Sequence, residues 1–454
     1  MHIQRRKFLG GTLGTAAAFA APSLLRGAEK RSGKFKTALI GAGWWGGNVL
    51  GEAMASGRCR IVGLCDVDRR ALDPAAERVS KLTGDQPGRY RDYREMLEKE
   101  RPEIVIVTTP DHWHALPTIA ALKAGAHVYV DKPTAHTVGE SQAMVRTARA
   151  HGRVVQVGHH RRMAPHMIRA REFIRAGGLG TVGMIRCHLN AGGAGPEEPL
   201  PTRPVPPELD WDFWCGPAPL RPFNGGNPAR PDDAPGTRGI HPRGHRHYLD
   251  FANGSLGDIG VHWLDTALWI TDESAPRRVH STGGRPVKGP AVLTPDAQTS
   301  DAPDHQVVHY TFDRFTLTWE SRLFGGNDAE KGDVAGMYFY GTKGTLQLGH
   351  RGGWVFYPSG GGTPQGEKAR LNEPDAQNIR ELWADFLAAI EEGRKPACDI
   401  ADAHRATTCA LLGMVSLKVG RSVAWDADRE TIPGDAEAAK FLRREYRKGW
   451  EYPV

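Results

Sequence analysis

The sequence predicts an α/β protein of two domains, the first a parallel sheet covered by helices on both faces. Two observations predict this. Short apolar runs alternate with amphipathic stretches over residues 35–160, and those runs are apolar throughout rather than at every second position. Strands buried on both faces read this way, and parallel strands need a crossover between them. Length agrees, because 454 residues exceed one ordinary core.

The runs are FKTALI (35–40), RIVGLC (60–65), EIVIVTT (103–109), HVYV (127–130) and VVQVG (154–158), with helical patterns between them such as ESQAMVRTARAHG (140–152). The first turn is GAGWWG, with Gly41, Gly43 and Gly46. Glycines spaced this way between a strand and a helix allow a tight turn, close approach of a pyrophosphate and close helix packing. Asp66 stands twenty residues after Gly46, at the end of the second run. A carboxylate there holds the adenosine ribose hydroxyls and repels a 2′-phosphate, which favours NAD over NADP. Arg69 and Arg70 follow closely and can accept a phosphate, so they weaken that preference.

Strand ends should face the ligand crevice. TTPDHWHA (108–115) and VDKPTAH (130–136) lie at two of them. Trp44, Trp45, Thr109, Pro110, His112, His114, Asp131 and Lys132 are therefore expected around the cofactor. Pro133 biases its neighbour toward extended geometry, which holds Lys132 at a strand end rather than on a solvated helix.

GSLGDIGVHWLD (254–265) reads as helix and spaces Asp258, His262 and Asp265 four and three apart, on one face. An imidazole of near-neutral pKa suits a base that takes a hydroxyl proton, and a cationic lysine suits stabilisation of the alkoxide as it forms. Asp258 can orient the imidazole or a hydroxyl, and Asp265 can support the helix or the histidine. HPRGHRHYLD (241–250) invites a metal reading, but His241, His245 and His247 lack a recognisable metalloenzyme spacing, and no metal is expected.

These pieces, in order, resemble the glucose–fructose oxidoreductase/inositol dehydrogenase (Gfo/Idh/MocA) family: GAGWWG, CDVD, TTPDHWHA, DKP, GHHRRMAP (158–165) and GDIGVHWLD. The family's Glu-Lys-Pro is Asp-Lys-Pro here, which leaves the lysine in place. The resemblance implies a Rossmann domain followed by an α/β domain with a large, mostly antiparallel sheet that commonly makes the oligomer interface, so a homodimer or homotetramer is expected. It also implies that Lys132, Asp258 and His262 form the catalytic site, and it places Arg162 near the domain junction. His159, Arg162, Tyr248 and Trp214 are the expected substrate contacts.

Residues 190–250 are rich in Pro, Gly and Trp, which disfavours regular elements and suits a binding loop. Trp211, Phe213 and Trp214 there can stack on a sugar or anchor the loop. Strands follow at 305–312, 315–321, 336–342 and 344–349 with hairpin spacing, and helices at 381–393 and 402–420 close the domain. Residues 437–450 read as a final basic helix. The domains expected are an export segment and linker (1–33), a nucleotide domain (34–160), a substrate domain (161–430) and a tail (431–454).

The net charge of +7 is diffuse and does not argue for nucleic acid, and no apolar run is long enough to span a bilayer. The six cysteines show no metal or redox spacing and are expected as structural thiols. MHIQRRKFLGGTLGTAAAFAAP opens the chain with a basic start and an apolar stretch, and its Arg5-Arg6 pair resembles a twin-arginine export signal. That route carries folded proteins through its own machinery and predicts a periplasmic or otherwise exported enzyme. The expected function is oxidation of a sugar's secondary alcohol by hydride transfer to a tightly held, recycled NAD. The alternative is a glycosidase that uses NAD for oxidation, elimination, water addition and re-reduction. A non-catalytic sugar-binding role is the third reading.

Overall fold

The computed structural model describes residues 33–193, 195–225, 239–327, 333–372 and 377–454. The twin-arginine run lies outside the described residues.

Six parallel strands form the first sheet: β1 (Phe35–Ile40), β2 (Cys59–Cys65), β3 (Gly88–Tyr90), β4 (Ile104–Val107), β5 (His127–Val130) and β6 (Val155–Val157). Their order is β3-β2-β1-β4-β5-β6. The direction of winding reverses between β1 and β4, which opens a crevice at their carboxyl ends. Each apolar run forms a strand within two residues of its expected bounds, and β3 is the addition. Its sequence, GRY, is too short and polar to carry a periodic signal. Apolar side chains cover both faces of the sheet.

The second sheet has nine strands in the order 365–367, 353–358, 344–349, 335–341, 182–190, 316–322, 305–311, 278–284 and 423–424. All neighbours are antiparallel except the 182–190 and 316–322 pair. The helix Val261–Thr271 packs against this sheet through Trp263 and Leu264, among Trp319, Phe339 and Leu346.

Three elements from later in the chain cross to the first domain. The helix Ile379–Glu392, expected to close the second domain, instead lays Leu382, Trp383 and Phe386 on the first sheet beside Val49 and Leu50. The Pro-rich segment builds a small core from Trp211, Trp214, Phe223, Tyr248 and Phe251. It straps onto the loop after β2: the Arg69 N–H donates to Glu208 O and the Asp210 N–H to Val67 O, both at 3.0 Å. The tail is helical only over Ala436–Lys440 and then runs as an irregular arm. Arg443 and Arg447, and Arg444 and Lys448, would stack like charges one turn apart in a longer helix. Extended, the arm gives Arg444 to Glu140 at 2.7 Å and packs Trp450 edge-on to Trp113 at 4.9 Å.

All six cysteines are buried free thiols. No helix among the described residues is long and apolar enough to cross a membrane.

One buried ion pair ties the halves together. Arg162, in the turn after β6, forks onto Asp265 of the Val261–Thr271 helix at 2.8 and 2.5 Å, with both side chains almost fully buried. Removing one charge strands the other, so Asp265→Asn is expected to lower stability by about 3–5 kcal/mol. Urea unfolding measures this. Replacing both partners by Leu and Met should cost much less, and an unchanged midpoint in Asp265→Asn would contradict the role.

Candidate active site

A cavity of about 1250 Å³ runs from the glycine turn after β1 to the end of β5. It is lined by Gly41, Gly43, Trp44, Trp45, Asp66, Thr109, Pro110, Asp131, Lys132, Trp214 and Asp258 among the residues expected from sequence.

Backbone geometry explains the glycines. Gly41 has φ +95°, and a Cβ there would lie 2.8 Å from the Thr108 carbonyl. A Cβ on Gly46 would lie 2.0 Å from Gly41 O, so Gly46 is a packing residue and does not line the cavity. Gly43 caps the helix Trp44–Ala55 with no side-chain hydrogen bond and with open space around it. The exposed N–H groups of that helix start suit a pyrophosphate. The Asp66 carboxylate accepts the N–H groups of Ala42 (2.7 Å) and Asp68 (2.9 Å), which aim it into the cavity. Burial raises its pKa, and those two hydrogen bonds oppose the rise. Arg70 is held in a fork on Asp68 at 2.8 and 2.7 Å, and Arg69 turns outward toward Asp73. Arg70 lines the cavity but its guanidinium is taken by Asp68, and the Asp66 carboxylate repels a 2′-phosphate, so these residues fit NAD.

At the inner end, Lys132 donates to the Asp258 carboxylate at 2.6 Å and to its carbonyl at 2.7 Å. Lys132 stands at the end of β5. Asp258 lies in a π turn, Leu256–Gly260, that leads into the helix Val261–Thr271. The sequence predicts plain helix here. The wider turn is a feature often found at functional sites. Burial alone would raise the Asp258 pKa, but Lys132 and Arg246 hold it far below the usual carboxylate range. Side-chain exposures of 11% for Lys132 and 25% for Asp258 leave both reachable from the cavity.

His262 follows one turn later and is buried. Among the described residues its Nδ1 has no hydrogen-bond partner, and the rings of His160 and His159 lie 5.2 and 5.7 Å away. The near-neutral pKa expected from sequence is not what the site produces. Burial, then Arg161 and Lys132, push the imidazole well below its ordinary value, so it stands neutral and is a weaker base than a free imidazole.

Several expected contacts take other places. His112 and His114 do not line the cavity. His112 Nε2 donates to Trp214 O at 3.0 Å, and the His114 ring spans Pro133 O (2.6 Å) and Thr109 O (2.8 Å), so both brace strand ends. Arg162 is committed to Asp265. Tyr248 is 2% exposed, with its ring in the core of the Pro-rich segment and its hydroxyl bonded by Asn224 at 3.1 Å. Neither is available to a substrate. His159 is fully buried beside His262, and Trp214 is a wall of the cavity stacked on Trp211 at 4.6 Å.

The sequence also misses residues. The HPRGHRH run supplies no metal site, and no metal-binding cluster is found among the described residues. Instead His241 Nε2 lies 2.8 Å from Asp68, Arg243 stacks 4.7 Å over Trp44, and Arg246 comes 3.5 Å from the Asp258 carboxylate. The density of cations in that run was the available signal.

Residues 35–159 match the Gfo/Idh/MocA oxidoreductase family, NAD-binding Rossmann fold, and residues 193–452 match that family's C-terminal alpha/beta domain. A glycosyl hydrolase family 109 protein of Parabacteroides distasonis is 28% identical over 149 residues, 32% of this chain and 32% of that protein. The D-glucoside 3-dehydrogenase of Escherichia coli is 31% identical over 156 residues, 33% of this chain and 42% of the enzyme. Both matches span under half of the relative's length. Levoglucosan dehydrogenase, solved with NADH and L-sorbose, shares the fold at TM-score 0.66 and 19% identity, over 86% of this chain and 99% of that one.

The buried histidines set the acid response. Burial pushes His112 down to about 3 and His159 and His247 to about 4. Unfolded histidines protonate near pH 6.5, at roughly 6.5. Stability is therefore full above that pH and is lost as the pH falls toward about 4, while the unfolded chain gains protons that the folded one refuses. Asp111, raised to about 6 by burial, has the opposite sign and offsets part of the loss. The urea midpoint is expected to fall from pH 7 to pH 5; a flat or rising midpoint would contradict this.

Proposed function

This chain belongs to the Gfo/Idh/MocA oxidoreductase family, and from that premise we propose an exported enzyme that oxidises a secondary alcohol of a sugar or sugar derivative and keeps its NAD between turnovers. The observation that carries the reading is the Lys132–Asp258 pair at the inner end of the cavity, with His262 buried one turn beyond it, behind the lining residues. NAD held by Gly41, Gly43, Asp66 and the helix start at Trp44 would supply the hydride acceptor. Lys132 sits where it can donate to the reacting oxygen and stabilise its developing negative charge. Asp258 fixes the lysine and stays ionised. Neutral His262 accepts the hydroxyl proton.

The strap supports retention of the cofactor. Arg203, Pro204, Pro206, Phe223, Gly225 and most of the 241–246 run add to the cavity wall, and His241 latches that wall to Asp68. The Arg5-Arg6 run supports export, and an exported enzyme has no ready pool of free nucleotide to reload from. The open face of the nine-stranded sheet, where Tyr338 and Tyr340 stack at 6.2 Å beside exposed Met184, supports a homo-oligomer.

A second reading is favoured by the glycosyl hydrolase relatives. Oxidation of one ring carbon acidifies the neighbouring C–H, so the same residues can begin an elimination that expels a glycosidic group. Release of an aglycone without external nucleotide would select this reading, and dependence on an external electron acceptor would reject it.

Two variants test the site. Lys132→Ala is expected to purify with its nucleotide but lose at least about 100-fold in turnover, the scale of one lost oxyanion-type donor. Full activity would remove Lys132 from the mechanism. His241→Ala is expected to release nucleotide faster on dilution, read by the nucleotide recovered after gel filtration and denaturation. Equal retention in the variant would remove the latch.

A further inference from the structure

The turn His160–Met163 delivers two consecutive arginines that are used differently. Arg162 is fully spent: its fork takes Asp265, and Nη1 donates to Ala397 O at 3.1 Å. Arg161 turns the other way. Its guanidinium carbon lies 4.3 Å over the ring of Trp263, the residue after His262. Its Nε and Nη1 are buried and have no hydrogen-bond partner among the described residues. Burial lowers its pKa to about 10, which leaves it cationic at neutral pH.

Three carboxylates face this guanidinium, Asp333 foremost, and none bonds its Nε or Nη1. Asp333 accepts the backbone N–H groups of Arg351 and Gly352, Asp258 is shared by Lys132 and Arg246, and Asp265 is held by Arg162. Unmet polar atoms gather around the same point: both ring nitrogens of His159 and the Nδ1 atoms of His160 and His262. Buried polar groups in folded proteins are almost always satisfied, so a concentration of unmet ones beside the proton-accepting histidine marks where a polar ligand sits. Sugar hydroxyls can meet the imidazoles, since they donate and accept. A guanidinium only donates, and its planar fork matches a carboxylate.

We propose that the substrate is an acidic sugar, a uronic acid or its glycoside, and that Arg161 binds its carboxylate beside His262. The proposal rests on the sugar-oxidising reading for its choice of ligand, but its test reads binding as well as redox chemistry. The full chain with its retained nucleotide is titrated by calorimetry with glucuronate against glucose and galacturonate against galactose. Reduction of bound nucleotide is followed in parallel by absorbance. Each acid is expected to bind on the order of 10- to 100-fold more tightly than its neutral parent, the scale of a charged hydrogen-bonded fork. Arg161→Gln is expected to bring that ratio close to one, and Arg161→Lys to keep part of it.

No preference for the acids in the parent protein, or an unchanged ratio in Arg161→Gln, would overturn the proposal; the first comparison needs no variant to fold. If the acids bind in an Arg161-dependent way yet reduce no nucleotide, the proposal stands and the redox reading falls. If neutral sugars reduce the nucleotide and the acids are not preferred, the redox reading stands and the proposal falls.

Discussion

The contact between Lys132 and Asp258 organises the rest of the site. One partner ends a strand of the first sheet; the other sits in a turn of the second domain, 126 residues later. A pair this buried adds little net stability, because both ions give up hydration. What it fixes is position and charge: Lys132 is aimed along the cavity and Asp258 stays ionised. The parallel bond from Arg162 to Asp265, seven residues further along the same helical segment, prevents that segment from swinging away from the first sheet. Between these two anchors lies His262, and its orientation follows from both.

Dryness is the second condition. His262 stands among the buried rings of His159 and His160, and burial keeps it neutral. In a wetter site the same imidazole would titrate near its ordinary value and Lys132 would be screened. The exclusion of water is achieved from far along the chain. The Pro-rich segment closes the cavity wall, the arm around Arg444 braces the loop after β4 through the His112 carbonyl, and the helix Ile379–Glu392 seals the first sheet from behind.

Much of this was legible in the sequence because it is local. Continuous apolar runs report strands buried on both faces, and glycine spacing reports a turn that no side chain can enter. The spacing of Asp258, His262 and Asp265 correctly put three groups on one side, since all three face the first domain. What stayed hidden depends on partners distant in sequence. Periodicity shows that the helix Ile379–Glu392 has an apolar stripe, not which sheet it covers. Tyr248 and Arg162 have the chemistry of sugar contacts, yet Asn224 and Asp265 claim them. The HPRGHRH run lacks a metal spacing, but its actual targets, Asp68, Trp44 and Asp258, could not be read from it, because spacing reports side chains and not what they reach. The basic tail read as helix because Glu140 and Trp113, which draw Arg444 and Trp450 into an irregular arm, lie far earlier in the chain.

If Lys132, Asp258 and His262 assemble around a carbinol, its hydrogen leaves as hydride to a resident nucleotide. A single-turnover experiment tests it most directly. The purified chain, with no free nucleotide added, is mixed with a sugar uniformly deuterated on carbon, and the bound nucleotide is then recovered and analysed by mass spectrometry. One deuterium transferred from carbon to the nicotinamide ring, and not washed out by solvent, is the expected result. Nucleotide that is recovered unlabelled, while the sugar is still converted, would contradict the account.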